Sequence, residues 1–280
     1  MLMVAAAFAA TAACGGSTQG PPLATPSLSI TASRAPLGAP IEMTYRFHVA
    51  PDAVFDKDVR VMVHFVDVDD ELMWTDDHDP PTPTSQWRPG QTIEYSRTFF
   101  LPVYPYLGQA TVEVGLYDPD SQRRLTLSGR DSGQQAYAVG TIELLPQSES
   151  VFVVYREGWH MPEVSPQNVT EEWRWTDQAA TVSFRNPKRD ARLYLEIDGR
   201  PDLFDGQQTV SIAIGEQVVD TFTLTTGDRV LHKARVAAGA FGADDIVSMT
   251  IGVDHAFVPS EMGETDTRRL GIRVFHLYVE

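Results

Sequence analysis

The chain has 280 residues, 42% of them hydrophobic, with a formal net charge of −16 at pH 7 and an isoelectric point near 4.7. That charge argues against nucleic acid as a partner, because phosphate binding needs clustered Lys and Arg, and against docking of the protein surface on anionic headgroups. A single cysteine excludes an internal disulfide, so packing alone must hold the folded parts, and the length suits two domains.

Residues 2–13 form an apolar run ending in Thr11-Ala12-Ala13, too short to span a bilayer as a mature helix. It reads as a secretory signal peptide over residues 1–13, although the first fourteen residues contain no Lys or Arg. Cys14 directly follows, and this junction resembles the lipobox of bacterial lipoproteins. The resemblance implies cleavage before Cys14, lipidation of its thiol, and an envelope protein held at the membrane, periplasmic or surface-exposed. Each acyl chain contributes about 0.8 kcal/mol per buried methylene, and stable anchoring takes more than one chain. The other reading is a plain secretory signal with a cysteine near its cleavage site. Residues 14–26 are mostly Gly, Ser, Thr, Pro and Ala and are expected to be a flexible tether.

From Ser27 the dominant signal is alternation. Ile41, Met43, Tyr45, Phe47 and Val49 fall on one face of a strand. Val59–Val66, Thr92–Leu101, Ala110–Tyr117 and Ala136–Leu145 continue the series, separated by turn-rich breaks such as Pro51-Asp52 and Pro89-Gly90. Residues 27–146 are expected to form one immunoglobulin-like β-sandwich. After a junction at Pro146–Ser150, strand patterns resume at Val151–Tyr155, Glu172–Trp175, Ala180–Arg185, Arg192–Ile197, Thr209–Ile214, Val218–Leu224, Val230–Val236, Ile246–Val253 and Leu270–Val279. Residues 151–280 are expected to form a jelly-roll-like β-sandwich, with at most one helical turn at Ala237–Phe241. The fold class is all-β, two tandem β-sandwiches.

In the first domain Val63-His64-Phe65-Val66-Asp67, Thr84-Ser85-Gln86-Trp87-Arg88-Pro89-Gly90 and Val114-Gly115-Leu116-Tyr117-Asp118-Pro119 resemble an immunoglobulin-like domain of bacterial envelope proteins. In the second, Gly158-Trp159, Trp173-Arg174-Trp175 and Asp266-Thr267-Arg268-Arg269-Leu270-Gly271 resemble jelly-roll modules appended to bacterial proteins of polysaccharide synthesis and surface display. The resemblance implies a carbohydrate-binding type of fold, with no binding residues carried over.

Trp159, Trp173 and Trp175 are the candidate sugar-stacking residues, since an exposed indole offers an apolar face to sugar C–H groups. Trp173 and Trp175, two apart, share a face if both lie in one strand. The alternative is that this pair fills the core. Trp159 lies in a turn-rich segment, where exposure is easier. Glu163 and Asp266 could accept hydroxyl hydrogen bonds, or Asp266 could pair with Arg268 or Arg269 to brace a turn. Glu163, Glu171, Glu172, Glu261 and Asp266 could also supply the paired carboxylates of a glycosidase. No serine or cysteine nucleophile motif is present. The acidic segment Asp67–Asp79 reads either as a calcium loop without EF-hand spacing or as a solvated hairpin rim. His64 and His78 could meet at a transition metal only if strand register allowed it.

These features predict a non-enzymatic, lipid-anchored envelope protein with no cofactor and no metal site. It is expected to bind an envelope glycan through its second domain. The alternative is a structural or assembly subunit that contacts an envelope protein.

Overall fold

The computed structural model describes residues 20–169 and 171–280. Cys14 and the signal segment 1–13 lie outside the described residues. By its internal contacts the chain separates into two compact units. The first comprises the described residues through Ser33 with Glu42–Arg97 and Gln109–Ile142, and the second comprises Arg34–Ile41, Thr98–Gly108 and Glu143–Glu280. The sequence expectation drew contiguous ranges, 27–146 and 151–280, and did not anticipate that 34–41 and 98–108 group with the second unit.

The strands up to residue 145 are β1 (Ala24–Ile30), β2 (Arg34–Pro36), β3 (Pro40–Val49), β4 (Arg60–Val66), β5 (Leu72–Thr75), β6 (Thr92–Phe100), β7 (Gly108–Tyr117), β8 (Asp131–Gly133) and β9 (Ala136–Leu145). One sheet has the order β1-β3-β6; the other runs β9-β7-β4-β5, with β8 also on β9 and β2 parallel to the last residues of β9. The alternation in β3 has its predicted effect, because Ile41, Met43, Tyr45, Phe47 and Val49 are all buried. One expectation is corrected, and the hairpin alternative for the acidic segment is met. Strand β1 starts at Ala24, inside the expected tether, because Ala24 pairs with Val49 and buries its small side chain. Strand β5 arises within the acidic segment, where Leu72–Thr75 pairs with β4 and Trp74 stacks on Phe65 at 5.3 Å.

Trp87 is 3% exposed, with its ring 5.2 Å from Phe47 and 5.4 Å from Phe55, and its indole N–H donates to the Thr82 carbonyl at 2.9 Å. His78 is buried beneath Tyr45, and its ring nitrogens hydrogen-bond with the Asp76 carbonyl at 2.7 Å and the Tyr95 hydroxyl at 2.8 Å. Arg97 pairs with the Asp76 carboxylate at 2.9 Å beside it. Burial holds the His78 imidazole below its ordinary pKa, against the opposing pull of Asp76, and burial does the same to His64. The folded pKa values lie below the unfolded value of about 6.5, so the unfolded chain takes up protons first as pH falls. Stability of this unit is therefore full above about pH 6.5 and declines on acidification. A thermal-melt series from pH 7.5 to 5 checks this, and His78→Gln should flatten it; an unchanged slope in that variant would remove His78 from the account.

The second set is β10 (Val153–Tyr155), β11 (Glu163–Val164), β12 (Glu172–Trp175), β13 (Ala179–Arg185), β14 (Ala191–Asp198), β15 (Gln208–Ile214), β16 (Gln217–Leu224), β17 (Val230–Val236), β18 (Ile246–Val253) and β19 (Arg273–Val279). One sheet runs β10-β13-β18-β15-β16 and the other β11-β12-β19-β14-β17. Inward residues of both, including Val182, Phe184, Leu193, Ile197, Ile212, Met249 and Val274, form one core. Both sets of strands are β-sandwiches, and the fold is all-β. The expected helical turn at Ala237–Phe241 is a 3-10 turn over Ala238–Phe241. Strand β19 begins at Arg273 rather than Leu270. The preceding residues leave the ladder, because Leu270 bridges to Phe257 and the Gly271 N–H donates to the Thr176 carbonyl. No helix among the described residues is long and apolar enough to cross a membrane.

Candidate functional site

Strand β12 is short and carries Trp173 and Trp175 on one face. Register places Arg273 of β19 opposite Trp175, and Asp198 of β14 opposite Arg273. The opposite face of the sheet holds Val274 and Ile197 in the core, so the tryptophan face points away from it. Neither Trp173 nor Trp175 belongs to the core, and both are half-buried. That settles the pair against core filling.

Arg273 organises this face. Its guanidinium lies 5.0 Å from the Trp173 ring, 5.7 Å from Trp175 and 5.4 Å from Phe275, distances at which a cation is attracted to the ring face. The same group donates to Asp198 at 2.8 and 2.5 Å. Asp198 is almost fully buried, and desolvation pushes its carboxyl above the ordinary range despite the arginine. Arg229 lies 3.6 Å over the Phe275 ring and pairs with Glu171. Phe257 meets Trp175 edge-on at 5.7 Å and carries Arg200 at 5.5 Å from its ring.

Glu163 and Asp266 reach the same face. Glu163 of β11 is directly opposite Trp173. Arg268 joins the two carboxylates, meeting Glu163 at 2.7 Å and Asp266 at 2.6 Å. Hydrogen bonds from the Arg268 side chain and backbone hold Asp266 at a pKa of about 2. Of the two turn-bracing partners weighed for Asp266, Arg268 is the one; Arg269 pairs with Asp177 instead. The Trp173 indole N–H is buried with no hydrogen-bond partner among the described residues, an omission that costs about 1–3 kcal/mol unless a further group satisfies it.

Trp159 stands elsewhere. It bridges to Thr176, which is 1% exposed and one residue past Trp175, hence on the opposite face. Its ring packs on the core and edge-on to Tyr155 at 4.8 Å, and its N–H donates to the Thr181 carbonyl at 2.8 Å. Trp159 is therefore corrected from a stacking candidate to a packing residue. The site gathers Glu163, Trp173, Trp175 and Asp266 and excludes Trp159.

Sequence reasoning missed Arg273, Phe275, Asp198, Arg229 and Phe257. The alternation Arg273-Val274-Phe275 carried a signal, since it places Arg273 and Phe275 on the face opposite Val274. The β-bulge between Glu196 and Ile197, which shifts β14 against β19, has no sequence signature.

The acidic segment is committed to local contacts. Asp67 accepts from the N–H groups of Asp69 and Glu71, Asp77 from that of Val63, and Asp79 pairs with Arg60. Among the described residues no group of three or more His, Cys, Asp or Glu side chains is arranged to hold a metal ion. His78 bridges to Val61, whereas His64, three residues on, lies on the other face of β4, so the two imidazoles do not converge.

No protein-family model matches the chain, and no curated protein matches it. Solved structures do show likeness. The CBM36-1 domain of a multidomain xylanase from the hindgut metagenome of Trinervitermes trinervoides is 8% identical, covering 46% of this chain and 94% of its own, with a TM-score of 0.28. The CBM22-1-CBM22-2 tandem domain of Paenibacillus barcinonensis Xyn10C is 10% identical over 91% of both chains, with a TM-score of 0.29. A Salmonella alpha-2-macroglobulin mutant is 12% identical, covering 92% of this chain and 15% of its own, with a TM-score of 0.27. At such scores these likenesses carry no argument about what this chain binds, and any functional reading rests on the face built around Trp173 and Trp175.

Proposed function

We propose that this chain is a non-enzymatic envelope lipoprotein that binds carbohydrate through the outer face of β12 and β19. The observation that carries the reading is the pair Trp173 and Trp175, aligned on one face, outside the core, with carboxylates and guanidiniums around them. Half-buried indoles offer dispersion to the C–H face of a sugar ring, and Glu163 accepts hydroxyl hydrogen bonds. The non-enzymatic part is supported by Arg268, which is ion-paired with both Glu163 and Asp266. A carboxylate held near pH 2 cannot donate a proton at neutral pH.

The test is a glycan-array screen of the purified protein beside Trp173→Ala and Trp175→Ala. Saturable binding that weakens about tenfold or more in each variant, roughly 1.4 kcal/mol, with little change in melting temperature, is expected. Binding that survives both substitutions removes the face. Silence across the panel would favour the assembly reading, for which β16, an eight-residue strand at the edge of its sheet with Val218 exposed, is the pairing surface.

The lipid anchor rests on Cys14 in the sequence alone. Cys14→Ser is expected to move the protein from the membrane fraction to the soluble fraction and to abolish the acyl mass. Membrane retention with unchanged mass would show another mode of attachment.

A further inference from the structure

In the first unit, on the outer face of the sheet β9-β7-β4-β5, an open cleft of about 210 Å³ has a carboxylate for its floor. Glu113 sits in the middle of β7 between Val112 and Val114, whose side chains are buried in the core. Alternation turns Glu113 to the opposite face. There it lines the cleft, yet it is only 7% exposed. Thr111, Ser132 and Thr141 line the same cleft, with Asp70 and Arg130 at its exposed rim.

A carboxylate so buried is ordinarily paired or hydrogen-bonded. That of Glu113 has neither an ion pair nor a hydrogen bond among the described residues. His64, its cross-strand partner on β4, feels its charge but makes no hydrogen bond or ion pair with it. Burial keeps that imidazole below its ordinary pKa, so it is neutral at pH 7 and offers no cation. Arg130 likewise has no side-chain hydrogen bond or ion pair among the described residues. A carboxylate and a guanidinium thus line one cleft without meeting. The tryptophan pair belongs to the second unit and takes no part here.

We propose that this cleft binds the primary ammonium group of a small hydroxylated molecule, an amino sugar. An ammonium is a compact charge with three N–H donors and no acceptor. Glu113 answers the charge, and the hydroxyls of Thr111, Ser132 and Thr141 can accept the remaining donors. A metal ion is poorly served, because no group of three or more His, Cys, Asp or Glu side chains among the described residues is arranged to hold one. Two carboxylates against one guanidinium also favour a cation over an oxyanion. Arg130, a donor only, needs an acceptor on the ligand, which a sugar hydroxyl supplies; its own repulsion of the ammonium is screened at the exposed rim. This site stands on the cleft alone and does not depend on the tryptophan face.

Titration of the whole protein with glucosamine, N-acetylglucosamine and glucose, followed by NMR amide shifts, tests it. The three sugars share a ring and differ at one carbon, as ammonium, neutral amide and hydroxyl. Glucosamine should bind tenfold or more tighter than the other two, moving the amides of Thr111, Glu113 and Thr141, and more weakly as salt rises. Glu113→Gln should abolish the preference for glucosamine. Its melting temperature should equal or exceed the parent's, because it removes a buried charge without a partner. Asp70→Asn, at a rim position with φ +61 that Asn tolerates, should weaken glucosamine in the same direction without altering a strand. Trp175→Ala should leave the preference intact. Equal binding of the three sugars, no binding of glucosamine, or a preference that survives Glu113→Gln overturns the cleft and leaves the tryptophan face standing. A preference lost with Trp175→Ala moves the ammonium to that face and overturns the cleft as well.

Discussion

Trp159→Ala should destabilise the second unit by about 3 kcal/mol and leave glycan affinity unchanged where the protein remains folded. The figure sits at the low end of the range for removing a large aromatic from a core, because Trp159 is half-buried rather than enclosed. The substitution removes the packing of the indole on the core, its edge-on contact with Tyr155 and its hydrogen bond to the Thr181 carbonyl. The backbone fixes the inward direction. Gly158 adopts φ +79, and a Cβ there would meet the Ala179 carbonyl oxygen at 2.0 Å, so the chain passes close against β13 just before the indole. Urea unfolding followed through the transition of the second unit measures the loss. Unchanged stability with lost glycan binding would return Trp159 to the site and refute its placement as a packing residue.

The sequence made the strands legible because their signal is local. Alternation of period two places Ile41, Met43, Tyr45, Phe47 and Val49 on one face whatever lies beside them, and all five are buried. Glu172–Trp175, Val230–Val236 and Ile246–Val253 have the bounds their patterns predict. The tryptophan pair was legible for the same reason, down to its shared face. Its choice between core and surface was not, because that depends on which face of β12 is turned inward, and Val274 and Ile197 on partner strands decide this. Trp159 was misleading because a turn-rich segment suggests exposure, yet a turn pressed on a sheet buries its side chain. Arg273 and Asp198 are 75 residues apart, and nothing in the chain announces that two adjacent strands bring them together.

Arg273→Met should be the most damaging single change at the tryptophan face, costing about 3 kcal/mol at neutral pH. Removing one member of a buried ion pair strands the other charge, a loss of about 3–5 kcal/mol, here at the low end because Arg273 keeps a third of its side chain in water. Asp198 has no such relief; it is almost fully buried, and desolvation already raises its pKa. Without the guanidinium that pKa climbs further, and the sign of the pH dependence follows. A carboxyl whose folded pKa exceeds its unfolded value favours the folded state when protonated, so the variant should regain stability as pH falls from 7 towards 5. Methionine retains much of the packing against Trp173, Trp175 and Phe275, which isolates the charge from the contact area. The double variant Arg273→Met/Asp198→Asn should recover most of the loss, since no charge is then left buried. Melting curves of parent, single and double variants at pH 7 and pH 5 distinguish the causes. A single variant whose deficit is the same at both pH values, and is not repaired by Asp198→Asn, would show that Arg273 holds this face through its ring contacts rather than through its pairing with Asp198.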